Sequence, residues 1–574
     1  MKPATHTPAT LDGTEARALR AWESAEQGPP DIWAHLPERA DVAAQAREVD
    51  ERLAGGQYLP LAGITVAVKD NIDVAGWPTT AACPAFSYTP GADASCVAQL
   101  RQAGAIFIGK ANMDQFATGL VGTRSPLGVV RNAVDARYVA GGSSSGSAVA
   151  VALGQVDMAL GTDTAGSGRV PAAFNGIVGY KPTKVTVSTA GVVPACPSLD
   201  CVSVFTPTVA EARAVALVLH SGGGTNEALL HSAPALKRAV VARPAQLVLG
   251  PDRAGAWQSA LERLAGTGVE VQEIDIWPFL EAGRMLYGGA LVAERYAAVG
   301  AFVSTRPEAV DPVVRQIVLD AGRIPAYELA RDLERLRELR QEAASVLGET
   351  STALVLPSTR THPTIDQVQA DPVRTNEVLG LFHTFCNPLG LCAAAVPAGQ
   401  TSEGLPFGIT MFAPAFNDYA VLGLAARFCS EPELEADKSH AGTPPPASHE
   451  IAVVGAHLRG QPLEHQLLRL GARFVGATTT APRYRLFALA TVPPKPGLVA
   501  TDEGGAAVET EIWSLDAAGF AAFVSEVPPP LAIGEVELED GRRVRGFMAQ
   551  EGALRGAVDI SGFGGWRAYL RSLG

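Results

Sequence analysis

The 574-residue chain lacks the marks of several protein classes. Its seven cysteines are an odd number, scattered with no Cys-x-x-Cys or paired Cys/His spacing. Neither a disulfide framework nor a zinc site is indicated, and no metal or other cofactor is expected. No run reaches the roughly 18 apolar residues that would cross a bilayer. The opening stretch, MKPATHTPATLDGTEARALRAWE, lacks the apolar centre of a signal peptide. The expectation is a cytoplasmic protein with no membrane partner. Positive charge is in deficit: 46 Lys and Arg against 59 Asp and Glu leave a formal charge of −13. A protein that grips phosphate backbones needs the opposite balance, so no nucleic-acid partner is expected.

What is present is ordinary core material, 47% hydrophobic and 18% charged residues. The length exceeds one common core and implies two domains, one of them large. Residues from about 10 to 55 read as amphipathic helices. Short apolar runs then alternate with Ala-rich helical ones. Strands are expected at Ile64–Val68, Ala105–Ile108 and Val156–Leu160, with helices at Asp93–Ala103 and Ser145–Leu153. This alternation predicts an α/β sheet with helices on its faces. The polar, then proline-rich stretch Glu431–Glu450 suits an exposed linker. The domains expected are therefore 1–432 (its first 55 or so residues helical), a linker at 433–449, and a small α+β domain at 450–574.

The segment from Val139 to Thr183, VAGGSSSGSAVAVALGQVDMALGTDTAGSGRVPAAFNGIVGYKPT, holds five serines but no histidine or cysteine. Its AVAVAL, VDMAL and IVGY runs form cores, which a flexible linker would avoid. No lysine followed by Ser or Thr closes either glycine cluster, so the phosphate-loop reading fails too. The remaining reading is nucleophilic. In LGTDTAGSGRVP a strand enters a turn of small residues ahead of a helix starting near Arg169–Ala173. A serine there is exposed to substrate while the backbone N–H groups of Thr164, Ala165 and Gly166 converge as an oxyanion hole. A serine hydroxyl needs a base. A lysine serves if burial lowers its pKa from about 10.4 towards neutrality, and Lys69, ending the apolar run ITVAVK, is placed for that.

These residues resemble the amidase signature family. GGSSSGS…GTDTAGSGRVPAAFNGIVGYKPT matches its glycine- and serine-rich signature, and PLAGITVAVKDNIDVAGWPTT matches its lysine segment. The resemblance covers about residues 50 to 430. It implies a central mixed β-sheet flanked by helices, with Lys69 as base, Ser143 as a bridging serine on a cis peptide, and Ser167 as nucleophile. It also implies the mechanism: the proton of Ser167 passes through Ser143 to Lys69, an acyl-enzyme forms, and water resolves it.

Within that family, GKANMDQFATGLVGTRSPLG and LYGGALVAERY are similar to the allophanate hydrolase branch. This implies that Tyr287 and Arg295 bind the carboxylate end of allophanate, a small-molecule substrate released as ammonia and carbon dioxide, with N-carboxycarbamate as first product. Guanidinium suits a carboxylate because two parallel hydrogen bonds fit it. Gly288-Gly289 would loosen a helix there, placing Tyr287 on a bend. His362 and His383 are expected to be structural or rim residues. VVGAHLRGQPLEHQL resembles the opening of the γ-glutamyl cyclotransferase-like fold and places His457 in a loop, as a possible second-domain site for decarboxylation, assembly being the other role of this domain. Acidic residues in VETEIWSLDAAGF read as helix- or strand-edge charges, with remnants of a cyclotransferase site as the alternative. The resemblance also suggests a homodimer. The alternatives are another amidase working on a small carboxylated amide, an amidotransferase component that works on aminoacyl-tRNA, and an inactive scaffold. The acidic charge and second domain disfavour the tRNA reading, and intact Lys69, Ser143 and Ser167 disfavour the scaffold.

Overall fold

The computed structural model describes residues 13–221, 229–230, 233–348, 351–431, 449–470, 472–489, 491, 495–501, 503–515, 517–527, 530–549 and 551–573. The elements up to Cys429 form one compact unit and those from His449 another. The linker expected at 433–449 lies outside the described residues, apart from His449, which opens the first strand of the second unit.

The first unit is organised by one sheet of eleven strands. In chain order these are β1 (Trp33–His35), β2 (Thr65–Lys69), β3 (Ile106–Ala111), β4 (Met158–Asp163), β5 (Val178–Lys181), β6 (Cys201–Thr206), β7 (Arg238–Ala242), β8 (Glu270–Ile274), β9 (Thr352–Pro357), β10 (Cys392–Gln400) and β11 (Pro406–Ala413). Across the sheet they run β1-β3-β2-β4-β6-β5-β10-β11-β9-β7-β8. β2 is parallel to both β3 and β4, whereas β4 and β6, and β10 and β11, are antiparallel. The sheet is mixed, with helices packed on it, the α/β arrangement expected.

β2 is apolar in consecutive positions because it is covered on both faces, as strands among parallel neighbours are. Every residue of β2, β3 and β4 is buried. The helix Ser145–Ala152, SGSAVAVA, has seven buried residues out of eight. Its small side chains let neighbouring backbone come close: a Cβ on Gly146 would stand 2.4 Å from the Ile32 carbonyl oxygen.

The strands and helices expected along 64–160 are present, with ends shifted by at most three residues: β2 at Thr65–Lys69, β3 at Ile106–Ala111, β4 at Met158–Asp163, and helices at Ser95–Gln102 and Ser145–Ala152. The shift at β4 matters, because the strand continues to Asp163 and carries Thr162 into the site. The N-terminal helices run Thr14–Gln27 and Arg39–Ala54. Between them β1, only three residues long, joins the sheet edge beside β3, which helical periodicity did not reveal.

The second unit has a five-stranded and a three-stranded sheet. Here β12 (His449–Val453) lies between β16 (Glu509–Leu515) and β18 (Arg543–Ala549). Its core gathers Ile451, Val453, Leu486, Leu498, Ile512, Trp513 and Phe547. Among the acidic residues read as edge charges, Glu511 needs correction. Glu511 is 1% exposed on an interior strand and pairs with Arg567 at 2.8 Å and Arg459 at 3.4 Å. A carboxylate at that depth requires such partners. Among the described residues, no helix is long and apolar enough to cross a membrane.

Candidate active site

Three strand or helix ends bring the predicted residues together. Lys69 is the last residue of β2. Ser143 precedes the helix Ser145–Ala152, and the Gly142–Ser143 peptide is cis. Ser167 lies in the turn between β4 and the helix Val170–Asn175. Lys69 and Ser143 are 0% exposed and Ser167 is 3% exposed. Lys69 Nζ lies 2.8 Å from Ser143 Oγ and 2.7 Å from Thr162 Oγ1, and Ser143 Oγ lies 3.0 Å from Ser167 Oγ. The result is an unbroken line of hydrogen bonds from the Lys69 amine to the Ser167 hydroxyl.

Burial dominates the titration of Lys69, lowering its pKa to about 7. Asp114, Asp163 and Asp200 oppose the shift, and Arg295 assists it. A buried ammonium loses its hydration, so the neutral amine is favoured.

Asp163 organises the turn that holds Ser167. Its Oδ1 accepts the Gly166 N–H at 2.9 Å and its Oδ2 accepts the Gly168 N–H at 3.0 Å. Arg169 donates two bonds to the same carboxylate, each 2.8 Å, and both side chains are fully buried. Of the three expected oxyanion donors, the Gly166 N–H bonds Asp163, whereas the backbone N–H groups of Thr164 and Ala165, and that of Ser167, meet no acceptor among the described residues. Gly166 still has a steric reason: its φ is +127°, and a Cβ would stand 2.7 Å from His383 Cβ.

Asp114 plays a comparable part beside Ser143. Its backbone N–H donates to the Ser143 carbonyl at 3.0 Å, and its carboxylate accepts N–H bonds from Val121, Gly122 and Arg124. A Cβ at Gly142 would lie 2.0 Å from Asp114 Oδ2, so only glycine fits. Asp200 accepts the Thr164 hydroxyl at 2.5 Å and the Ala195 and Cys196 N–H groups.

Arg295 is 1% exposed. It donates to Thr118 Oγ1 at 2.7 Å and to Tyr287 Oη at 3.1 Å. Its Nε is buried without an acceptor among the described residues. The helix Trp277–Tyr287 ends at Tyr287, and a new turn begins at Ala290. The glycine pair thus separates two helical segments, and Tyr287 sits at the break. Two cavities, of about 520 and 480 Å³, are both bounded by Tyr287.

His383 is fully buried with Nδ1 3.1 Å from Arg169 Nη1, and His362 stacks on Phe174 and bonds the Val139 carbonyl. Both are structural. His457 stands in the second unit, beside a separate cavity. Sequence reasoning missed Thr162, Asp163, Arg169, Thr118 and Asp200. The first three flank Ser167 in GTDTAGSGR, and a buried Asp and Arg six residues apart across a turn were the available signal.

Residues 20–422 match the family model described as Amidase, and the chain belongs to that family. Residues 449–571 match the model described as allophanate hydrolase C-terminal domain. The urea amidolyase of Saccharomyces cerevisiae is 41% identical over 586 residues, covering 96% of this chain and 32% of the yeast protein. The crystal structure of Kluyveromyces lactis allophanate hydrolase is 36% identical with a TM-score of 0.69, covering 99% of this chain and 98% of that one. A glutamyl-tRNA(Gln) amidotransferase component from Symbiobacterium thermophilum is 36% identical over 458 residues, covering 72% of this chain and 93% of that protein. The chain thus spans about a third of the length of the urea amidolyases it matches.

Removing the guanidinium in Arg169→Ala leaves the buried Asp163 carboxylate unpaired. The first unit is expected to lose about 3–5 kcal/mol, read as a lower urea midpoint; an unchanged midpoint would contradict the role given to this pair.

Proposed function

We propose that this chain hydrolyses allophanate, with Ser167 as nucleophile, Ser143 as proton bridge and Lys69 as base. The observation that carries the reading is the hydrogen-bonded line from Lys69 to Ser167 in the same unit as a buried Arg295 that has no carboxylate partner among the described residues. The similarity of nearly the whole chain to an allophanate hydrolase and to urea amidolyases supports it.

In this mechanism the hydroxyl hydrogens reorient, as serine rotors can, so that Ser167 donates to Ser143 and Ser143 to the Lys69 lone pair. Ser167 Oγ attacks the amide carbon of the substrate while its proton moves to Ser143 and that of Ser143 to Lys69. The developing oxyanion takes backbone N–H groups of Thr164, Ala165 and Ser167. The proton returns to the leaving nitrogen, ammonia departs, and water then cleaves the acyl-enzyme. Arg295, with Tyr287, holds the far carboxylate through charge-assisted bonds. The first product is the dianion N-carboxycarbamate, which loses carbon dioxide. His457 is read as the second-unit group that meets this product.

Under this reading the amidase domain spans 1–432, a linker follows from 433, and the second domain runs to 574 with His449, where its first strand and the second matched model begin, as its first residue. The enzyme works as a cytoplasmic homodimer without a cofactor. The similarity to an amidotransferase component over 72% of the chain favours, as a second reading, another amidase of the family. Ammonia release from allophanate, beside malonamate and acetamide, separates the two: turnover of the simple amides but not allophanate would overturn the proposal.

Ser167→Ala is expected to lower ammonia release by a factor on the order of 10⁶. Because Lys69 must be neutral and its pKa is about 7, kcat/KM should level off above that pH and fall tenfold per unit below it. A profile flat between pH 5 and 9 would remove Lys69 as the base. Arg295→Ala should raise KM for the carboxylated substrate by roughly 10–100-fold, the worth of a charge-assisted bond. Since Arg295 helps lower the Lys69 pKa, the acid limb should also move to higher pH. An unchanged KM would exclude Arg295 from substrate binding.

A further inference from the structure

Tyr287 bounds two cavities whose walls carry opposite charge. The cavity of about 520 Å³ presents two arginines, Arg284 and Arg360, against one carboxylate, Glu377. The cavity of about 480 Å³ presents four carboxylates against two arginines, and Glu377 lines both. A chain with a formal charge of −13 repels an anionic substrate on average, so a positive mouth decides where one enters.

Both arginines of the larger cavity are held without a carboxylate partner among the described residues. Arg284 lies in the last turn of the helix Trp277–Tyr287, its guanidinium over the Trp277 ring at 4.7 Å from the centroid. Arg360 follows β9, and its Nε and Nη2 each lie 3.3 Å from the Val248 carbonyl oxygen. Val248 has a φ of +49°, a left-handed conformation that a β-branched residue keeps only where its surroundings enforce it. The guanidinium on its carbonyl is one such constraint. Nη1 of Arg360 meets no acceptor among the described residues, which leaves that end of the fork for a ligand.

The wall of this cavity is one side chain away from the turn that holds Ser167. A Cβ on Gly380, in the wall, would stand 3.3 Å from Leu120 Cδ1, and one on Gly166 would stand 3.6 Å from Leu120 Cδ2. Leu120 thus lies between the two. Asn376, also in the wall, holds it by accepting the Leu120 N–H at 2.7 Å. Tyr287 completes the link, because its hydroxyl bonds Arg295.

We propose that this cavity captures the anionic substrate on its way to Ser167, with Arg284 and Arg360 drawing in the carboxylate before Arg295 takes it. The inference rests on the function proposed above, which makes the ligand a small amide bearing one carboxylate. Glu377 offsets one of the two positive charges, and the acidic walls of the other cavity turn the same anion away.

In the full-length chain carrying Ser167→Ala, Trp277 beneath Arg284 reports the cavity by fluorescence, assigned by difference against the same chain with Trp277→Phe. Malonamate, a carboxylated amide that this variant leaves intact, is expected to change the signal saturably, and neutral malonamide is not. With Ser167 in place and at low salt, Arg284→Gln and Arg360→Gln should each lower kcat/KM for allophanate about 3–10-fold, with kcat within about twofold. The salt dependence of kcat/KM should flatten in both, which partial unfolding would not produce. Lysine at either position should restore kcat/KM to within about threefold, since steering needs the charge and not the guanidinium fork. Glu328→Gln, in the acidic cavity, should leave kcat/KM no lower; a larger fall there than in either arginine variant would overturn the proposal. An equal Trp277 response to malonamide would do the same. Ammonia released from allophanate at a rate and salt dependence indifferent to both arginines overturns the capture site alone. A malonamate response that Arg360→Gln removes, with no ammonia from allophanate, overturns the function proposed above and leaves the anion site standing with another carboxylated amide as its ligand.

Discussion

The first unit is built around the loss of water from one amine. Lys69 reaches two hydroxyls, Ser143 and Thr162, and none of its surface is exposed. Desolvation of this kind turns an ordinary ammonium into a base that is half neutral near pH 7. It also constrains everything packed around it. β2 must be apolar and central to bury the amine, the helix Ser145–Ala152 must be made of small residues to bring Ser143 close, and β4 must end where Thr162 can share the lysine. An exposed lysine at the same chain position would be a cation at neutral pH and would accept no proton.

Buried carboxylates do the complementary work. Asp114, Asp163 and Asp200 each gather backbone N–H groups of a loop: 121–124, 166–168 and 195–196. All three oppose the lowering of the Lys69 pKa. The base strength therefore reflects a balance in which burial wins and the acids limit its effect. Asp163 is neutralised in turn by Arg169, and its own carboxyl is held at about 2. The same carboxylate takes the Gly166 N–H, while the neighbouring N–H groups of Thr164, Ala165 and Ser167 meet no acceptor among the described residues. Arg295 differs from Arg169 in having hydroxyl and carbonyl partners in place of a carboxylate. The contrast separates a structural guanidinium from one suited to a ligand.

The second unit shows the same economy at smaller scale. Glu511, buried and held by two arginines, ties the 455–460 turn to the middle of its sheet. His457 is placed by aromatic rings and an amide, not by another charge.

Much of this was legible in the sequence. The motif text around Lys69, Ser143 and Ser167, the strand–helix alternation and the break before residue 449 depend on local residue type and spacing, which a linear string preserves. The glycine pair after Tyr287 announced the end of a helix for the same reason. What the string could not carry were pairings across distance. Thr162 joins Lys69 over 93 residues, Asn387 reaches the Asp163 carbonyl over 224, and His383 packs against the nucleophile turn from the far end of the unit. The capture of the Gly166 N–H by Asp163 is local in sequence, yet only the turn's backbone geometry decides it. Glu511 read as an edge charge because period-two alternation cannot tell an interior strand from an outer one. Residue chemistry thus named the reagents, while strand order and burial chose their protonation states and partners, because desolvation and hydrogen-bond direction exist only once distant segments are packed together.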